Sequence, residues 1–161
     1  MNVFDCAIKM EQEAKLLFEK LATDTAIPEL KNLFTLLAES EQEHHDALVK
    51  LKESNNPLKV KFKDLQEAAC LFKLLLAKRD LVAELIEQPD AYLHIVREEE
   101  NGIRFYEDLA AQAEDEKARE ILLMIADEER KHLSIVENIY SFVESPKSFL
   151  VSAEFSNLTE L

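Results

Sequence analysis

Apolar residues recur at helical spacing in four segments of this 161-residue chain, and polar residues stand in the middle of each apolar stripe. A carboxylate left unpaired on such a buried face would cost several kcal/mol, so each must be protonated, paired or bound to a metal ion. The polar members are Glu11 in the first segment, Glu41 and His44 in the second, Glu99 in the third, and Glu129 and His132 in the fourth.

The second half of this pattern repeats the first at a constant offset of 88 residues, without a gap. The offset aligns the three polar members of one half with those of the other, and it aligns apolar neighbours such as Phe18 with Tyr106. Short turns within each half make its two helices antiparallel neighbours. The sequence therefore predicts an all-α fold, a four-helix bundle whose two halves are related by a pseudo-twofold axis.

We predict a single domain over residues 1–161. The long connection between the halves is expected to contain an extra crossover helix that begins near Asp64 and runs to Ile86. Pro89 stands where the first turn of the third helix should begin. The expected divisions are helical repeats at about 1–53 and 90–143, a crossover at 54–89 and an irregular tail at 144–161.

The spacing Glu-x-x-His places a carboxylate and an imidazole on the same face of a helix. Two half-sites, each with two carboxylates and one imidazole, supply what a pair of metal ions needs inside a helix bundle. Such ligands without a thiolate point to iron or manganese, but they discriminate poorly between metals, and zinc also fits. Without metal, most of the four carboxylates should take up protons and have raised pKa values. The alternative is a degenerate bundle that keeps the pattern without the metal.

Composition narrows the class of protein. A net charge of −14 argues against nucleic acid or an anionic membrane as partner. The apolar run at 68–77 is too short to span a bilayer. Cys6 and Cys70 lack paired spacing, which suggests a reducing compartment. With no signal peptide visible before the first amphipathic helix, we expect a soluble, cytoplasmic protein.

Four segments carry a family resemblance: AIKMEQEAKLLFEKLA, LAESEQEHHDALVKL, REEENGIRFYEDLA and IADEERKHLSIV. They resemble the ferritin-like superfamily, and within it the rubrerythrin-type di-iron carboxylate proteins. The resemblance implies a ferritin-like four-helix bundle with a long crossover between helices 2 and 3 and a cofactor of two iron ions. It implies as metal ligands Glu11, Glu41, His44, Glu99, Glu129 and His132, with Glu41 and Glu129 bridging and Glu11 and Glu99 terminal.

The sequence departs from the rubrerythrin pattern in two places. Rubrerythrins typically have a further Glu one turn beyond the third-helix Glu, where this chain has Gly102. They also typically carry a rubredoxin-like module with two Cys-x-x-Cys pairs, whereas Cys6 and Cys70 are the only cysteines here. The second departure implies that electrons come from an external donor protein.

Three residues near the ligands invite a functional interpretation. Tyr106 is the candidate catalytic residue, since it could hydrogen-bond a ligand carboxylate or supply a proton, and a plain core tyrosine is an equal alternative. Ala14 and Gly102 lie one turn from Glu11 and Glu99. These small residues could leave room for an oxygen-derived substrate, and close helix packing would explain them equally well.

Other polar residues have simpler interpretations. His45 has no counterpart at the offset position and is expected to be exposed or to support the ligands. His94 lies off the stripe and is expected at the surface. Asp127 and Glu128 could orient a histidine ring, and at least one of them should be solvated.

The leading hypothesis for function is a di-iron oxidoreductase of rubrerythrin type that reduces hydrogen peroxide or dioxygen, as in the response to oxidative stress. A homodimer is expected. A second hypothesis is an iron-oxidising or iron-handling ferritin-like protein, and a third is an interaction module whose metal only joins the helices.

Overall fold

The computed structural model describes residues 3–53 and 89–144, which form four α-helices with no strand among them. The predicted all-α fold is confirmed. The crossover helix and the C-terminal tail lie outside the described residues. No helix in the described ranges is both long enough and apolar enough to cross a membrane. The helices are α1 (Val3–Asp24), α2 (Pro28–Glu53), α3 (Pro89–Gln112) and α4 (Glu116–Glu144).

The turn between α1 and α2 is short, and hydrogen bonds hold both of its ends. The Thr25 N–H donates to the carbonyl of Leu21 (3.1 Å), and the Lys31 N–H donates to that of Ile27 (2.9 Å). The Thr25 hydroxyl also accepts a hydrogen bond from the Ile27 N–H (3.3 Å). Pro28 then occupies the first turn of α2, where a missing N–H costs nothing.

The turn between α3 and α4 is held by side chains. The Asp115 carboxylate accepts a hydrogen bond from the Ala118 N–H (3.2 Å), which caps the start of α4. The Arg119 guanidinium donates to the carbonyls of Ala110 (3.2 Å) and Ala113 (2.8 Å) at the end of α3. A cation at a helix C-terminus is also favoured by the helix dipole. These contacts make α3 and α4 a second antiparallel hairpin.

The core consists of two apolar layers, one on each side of the buried polar residues. One layer contains Phe18, Phe34 and Tyr92, with ring centroids 6.4 Å apart for the first pair and 6.1 Å for the second. The other layer contains Leu48 and Ile125, both 0% exposed. Burial of these layers provides the main drive for assembly. It also leaves the polar residues between them in a largely dry environment.

Candidate metal centre

The six predicted ligands meet in the middle of the bundle. The most exposed of them, Glu99, has only 5% of its surface accessible. The two histidine rings stack with centroids 5.4 Å apart. Among the described residues, the ligand atoms form two overlapping groups, each within 4.8 Å. The groups are Glu11, Glu41, His44 and Glu129, and Glu41, Glu99, Glu129 and His132.

The two groups are nearly symmetric in their distances. His44 Nδ1 lies 2.9 Å from Glu129 Oε1, and His132 Nδ1 lies 2.9 Å from Glu41 Oε1. Within a helix, His44 Nδ1 lies 3.4 Å from Glu41 Oε2, and His132 Nδ1 lies 3.5 Å from Glu129 Oε2. Glu41 and Glu129 belong to both groups, which is the position that a bridging carboxylate requires.

The other two carboxylates each belong to one group. Glu11 Oε2 lies 3.5 Å from His44 Nδ1, and Glu99 Oε2 lies 3.8 Å from His132 Nδ1. Both positions therefore suit terminal ligands. The helices α1 and α3 each supply one of these carboxylates, while α2 and α4 each supply a shared carboxylate and a histidine.

The donor set has the character of a cation site. The Oε2 atoms of Glu11, Glu41 and Glu99 are buried, and each has a histidine Nδ1 within 4 Å but accepts no hydrogen bond from donors in the described residues. Buried carboxylate oxygens without a hydrogen bond are costly, and a divalent cation would offset that cost. Four carboxylates and two imidazoles, with no thiolate, are ligands that iron accepts. The residues present could hold metal ions.

Burial and charge divide the four carboxylates into two classes. Burial, together with the charge of Glu129, raises the pKa of Glu11 and Glu99 well above the usual range. Burial alone would also raise the pKa of Glu41 and Glu129. Hydrogen bonds and the nearby His132 charge outweigh it, so both of these pKa values are lowered.

The pKa values of both histidines are raised, because the neighbouring carboxylates outweigh burial. Burial would lower the pKa of His44, but hydrogen bonds to Glu11, Glu129 and Glu41 hold it well above its ordinary value. The charges of Glu41 and Glu129 raise the pKa of His132 from 6.5 to about 10. Without metal, the raised pKa values of Glu11 and Glu99 favour their protonated forms, and the raised pKa values of both histidines favour imidazolium ions beside Glu41 and Glu129.

The expectation that most of the four carboxylates would have raised pKa values is wrong. Only the two outer carboxylates, Glu11 and Glu99, behave in that way. The reason is the short contact of His44 and His132 with the carboxylate of the opposite helix. A protonated imidazole at hydrogen-bond distance stabilises the ionised carboxylate even in a dry site.

Tyr106 contacts the site directly. Its hydroxyl donates a hydrogen bond to Glu11 Oε1, and its side chain is 1% exposed. Burial and the charge of Glu11 raise the pKa of this phenol well above its ordinary value. The hydroxyl therefore keeps its proton at neutral pH beside a candidate ligand, while the ring also belongs to an apolar layer.

A cavity of about 120 Å³ reaches the cluster from the α1 and α3 side. Exposed Glu13, His94 and Glu98 line it together with buried Glu11 and Glu99. The position of His94 agrees with its expected place at the surface.

Ala14 and Gly102 also line this cavity. A Cβ atom added at Gly102 would meet no other atom within 4 Å. Close helix packing does not explain this glycine, because the space beside it is open. The small residues leave room next to the candidate ligands.

Ser40 belongs to the site and was missed by sequence reasoning. Its hydroxyl lies 2.8 Å from His132 Nε2, and its side chain is 1% exposed. A usable signal was present, since Ser40 directly precedes Glu41 just as Glu128 precedes Glu129, at the same 88-residue offset.

The remaining polar residues lie where expected. His45 is half-buried outside the cluster and contacts Gln12 (3.3 Å), Gln42 (3.4 Å) and Asp46 (3.1 Å). Asp127 is exposed and pairs with Arg130.

The comparison with protein families agrees with this arrangement. A family model described as Rubrerythrin matches residues 2–140, a span that includes all six candidate ligands. The rubrerythrin domain is a ferritin-like helical bundle, in agreement with the four helices of the structure. Neither the curated proteins nor the solved structures searched contain a match. Since the family model covers most of the chain, this protein belongs to the rubrerythrin family.

Proposed function

We propose that this protein is a di-iron redox enzyme that reduces hydrogen peroxide or dioxygen with electrons from a separate donor protein. The observation that carries the proposal is the cavity lined by exposed residues, by the buried carboxylates and by Tyr106. A metal that only joined helices would need no such space. Membership of the rubrerythrin family supports the choice of iron.

Two iron ions would be held by the six clustered side chains. Four carboxylates balance the charge of two divalent ions, and the two overlapping groups share Glu41 and Glu129. Manganese and zinc are the alternatives, because such ligands discriminate weakly. When bound, iron would supply Lewis acidity and electrons for the reduction of an oxidant.

The size of the cavity restricts the substrate. Pockets for drug-sized ligands have volumes of roughly 300–1,000 Å³. A cavity of about 120 Å³ is well below that range. Hydrogen peroxide and dioxygen fit this space, and its small size favours them over organic substrates.

Tyr106 is proposed to supply a proton during the reduction. Its hydroxyl holds a proton beside Glu11 and lines the cavity. The raised pKa of the phenol keeps it protonated at neutral pH. The apolar layers enclose the cluster on two sides, so Tyr106 offers a proton inside the bundle, next to the candidate ligands.

The test is steady-state consumption of hydrogen peroxide by iron-loaded protein with a supplied reductant. We expect turnover by the wild type and none by a Glu41→Ala, Glu129→Ala double variant. Absence of turnover in fully loaded protein would contradict the proposal. If chelation then also removed helix content, the metal would be assigned the role of joining the helices.

Iron oxidation and handling is the second candidate. Exposed Glu13 and Glu98 line the cavity, and their negative charges would attract cations. This function predicts uptake of iron beyond two ions per chain and an assembly of cage size by light scattering. The leading proposal predicts a small assembly, which we expect to be a homodimer.

A further inference from the structure

We infer that Glu128 orients the ring of His44 by accepting a hydrogen bond from the second ring nitrogen of that histidine, as Ser40 orients His132. The two metal positions should therefore differ in affinity. This inference rests on the proposed two-metal site and deepens it. Its basis is a difference between the two halves at one pair of equivalent positions, residues 40 and 128.

The arrangement at His132 shows how such positioning works. Its Nε2 lies 2.8 Å from the Ser40 hydroxyl, and its Nδ1 lies 2.9 Å from Glu41 Oε1. With the Nε2 proton donated to Ser40, Nδ1 is the nitrogen that faces the candidate ligands. A residue on α2 thus orients a ring on α4.

The equivalent residue for His44 is Glu128. It follows from the 88-residue offset, and it lies on α4 while His44 lies on α2. An oxygen of Glu128 and ring nitrogens of His44 and His132 lie within 4.8 Å of one another. Since His44 Nδ1 faces Glu129 at 2.9 Å, we assign the opposite ring nitrogen to the contact with Glu128.

Glu128 is built into the bundle interior. It is 7% exposed, and its Oε2 is buried with no hydrogen-bond donor among the described residues. One ion pair accompanies it, between its Oε1 and Lys131 Nζ at 3.2 Å. Its neighbour Asp127 is exposed, so Glu128 is the one of the two that lies close to the histidines.

The two acceptors differ in strength. A carboxylate accepts a stronger hydrogen bond from an imidazole N–H than a neutral hydroxyl does. The stronger bond draws electron density toward Nδ1 and makes that nitrogen the better metal ligand. The ion held by His44 should therefore bind more tightly than the ion held by His132.

The test is calorimetric titration of the chelated full-length chain with Zn²⁺ or Co²⁺. Wild type should show two binding events of unequal affinity and a total of two ions. Glu128→Gln should weaken the tighter event by about 10- to 100-fold and leave the other nearly unchanged. Ser40→Ala, the matched control, should weaken only the other event. Glu128→Ser should make the halves alike, so the two events should coincide.

A spectroscopic measurement separates positioning from a general structural effect. In the Co²⁺ protein, each ligand histidine should contribute one strongly shifted, exchangeable ring N–H signal in the proton NMR spectrum. Glu128→Gln should change the exchange rate of one signal and Ser40→Ala that of the other. Equal weakening of both metals by Glu128→Gln would overturn the inference, as would two equal events in wild type.

Three further outcomes have distinct meanings. A total of three ions that falls to two in Glu128→Ala would make Glu128 a direct ligand in a site with both histidines, and it would overturn the positioning role. Wild type that binds no metal would remove the proposed function itself. Unequal sites that ignore both substitutions would overturn only the present inference.

Discussion

In the absence of metal, the candidate ligands in the middle of the bundle carry opposite charges that stabilise one another. Glu41 and Glu129 stay ionised because His132, protonated up to a pH of about 10, lies beside them. Burial next to these charges raises the pKa of Glu11 and Glu99 and favours their protonated forms. Metal binding should therefore release protons from the cluster.

Tyr106→Phe should separate proton supply from metal binding. The variant keeps the ring in its apolar layer and removes the hydroxyl that donates to Glu11. We expect an unchanged metal content and peroxide turnover lower by about 10²-fold or more, the usual range for a lost general acid. The measurement is turnover per bound iron. Undiminished turnover would limit Tyr106 to a packing role.

Gly102→Ala should stabilise the protein. The added methyl group meets no atom within 4 Å, and Gly102 lies inside α3. Replacing a helical glycine with alanine should raise the free energy of unfolding by about 0.5–1 kcal/mol, because the unfolded chain loses less entropy on folding. Urea unfolding of loaded protein measures this change.

Gly102→Leu should fill the cavity and reduce peroxide turnover. Equal turnover in the Gly102→Ala and Gly102→Leu variants would refute the cavity as the substrate path.

The six candidate ligands could be predicted from the sequence because carboxylates and imidazoles at helical spacing stand out against apolar neighbours. Ser40 was missed, although the 88-residue offset pairs it with Glu128, because a buried helical serine usually bonds to its own helix backbone. The opposite pKa shifts within the carboxylate set could not be predicted. They depend on distances between side chains on different helices, such as the 2.9 Å contact of His44 with Glu129.

The helices pack mainly as two hairpins, α1 with α2 and α3 with α4, and α2 also contacts α4. Each ligand group takes residues from three helices and so crosses from one hairpin to the other. Bound metal should therefore stabilise the association of the hairpins more than either hairpin alone.

Chelation should loosen the middle of α2 and α4 first. We expect faster hydrogen exchange at amides around residues 41–44 and 129–132, and a smaller change within the apolar layer around residues 30–37. The comparison is between loaded and chelated wild type. A uniform increase along all four helices would show that the metal stabilises the fold as a whole and does not act at the hairpin junction.

At this scale the sequence was a good guide to helix positions. Pro89 was predicted to stand in the first turn of the third helix, and it is the first residue of α3. The end of α1 at Asp24 was not fixed by the apolar spacing, because a C-terminal turn depends on local hydrogen bonds more than on that spacing.

The whole molecule should respond to pH in opposite ways with and without metal. In the chelated form, the raised pKa values of Glu11 and Glu99 lower stability as the pH rises above their ordinary value of 4.5. The raised pKa values of the histidines contribute stability that is complete below 6.5. For His132 this stability is lost as the pH rises to about 10.

The lowered pKa values of Glu41 and Glu129 affect the stability of the fold only at acidic pH. The stabilisation that these carboxylates contribute is lost as the pH falls below 4.5. The chelated protein should therefore lose stability from pH 5 to 8, by up to about 1.4 kcal/mol per pH unit for each excess proton of the folded state. The loaded protein should gain stability over that range, since protons compete with metal. Thermal melting of both forms tests this, and parallel profiles would contradict the clustered site.

The most direct test of the two-metal centre is the iron content of protein loaded anaerobically and freed of excess metal. Wild type and His45→Ala should each hold two irons per chain, because His45 lies outside both ligand groups. Glu41→Ala and Glu129→Ala should each hold none, since both groups share these carboxylates. Wild type without iron, or either glutamate variant with two irons, would contradict the account.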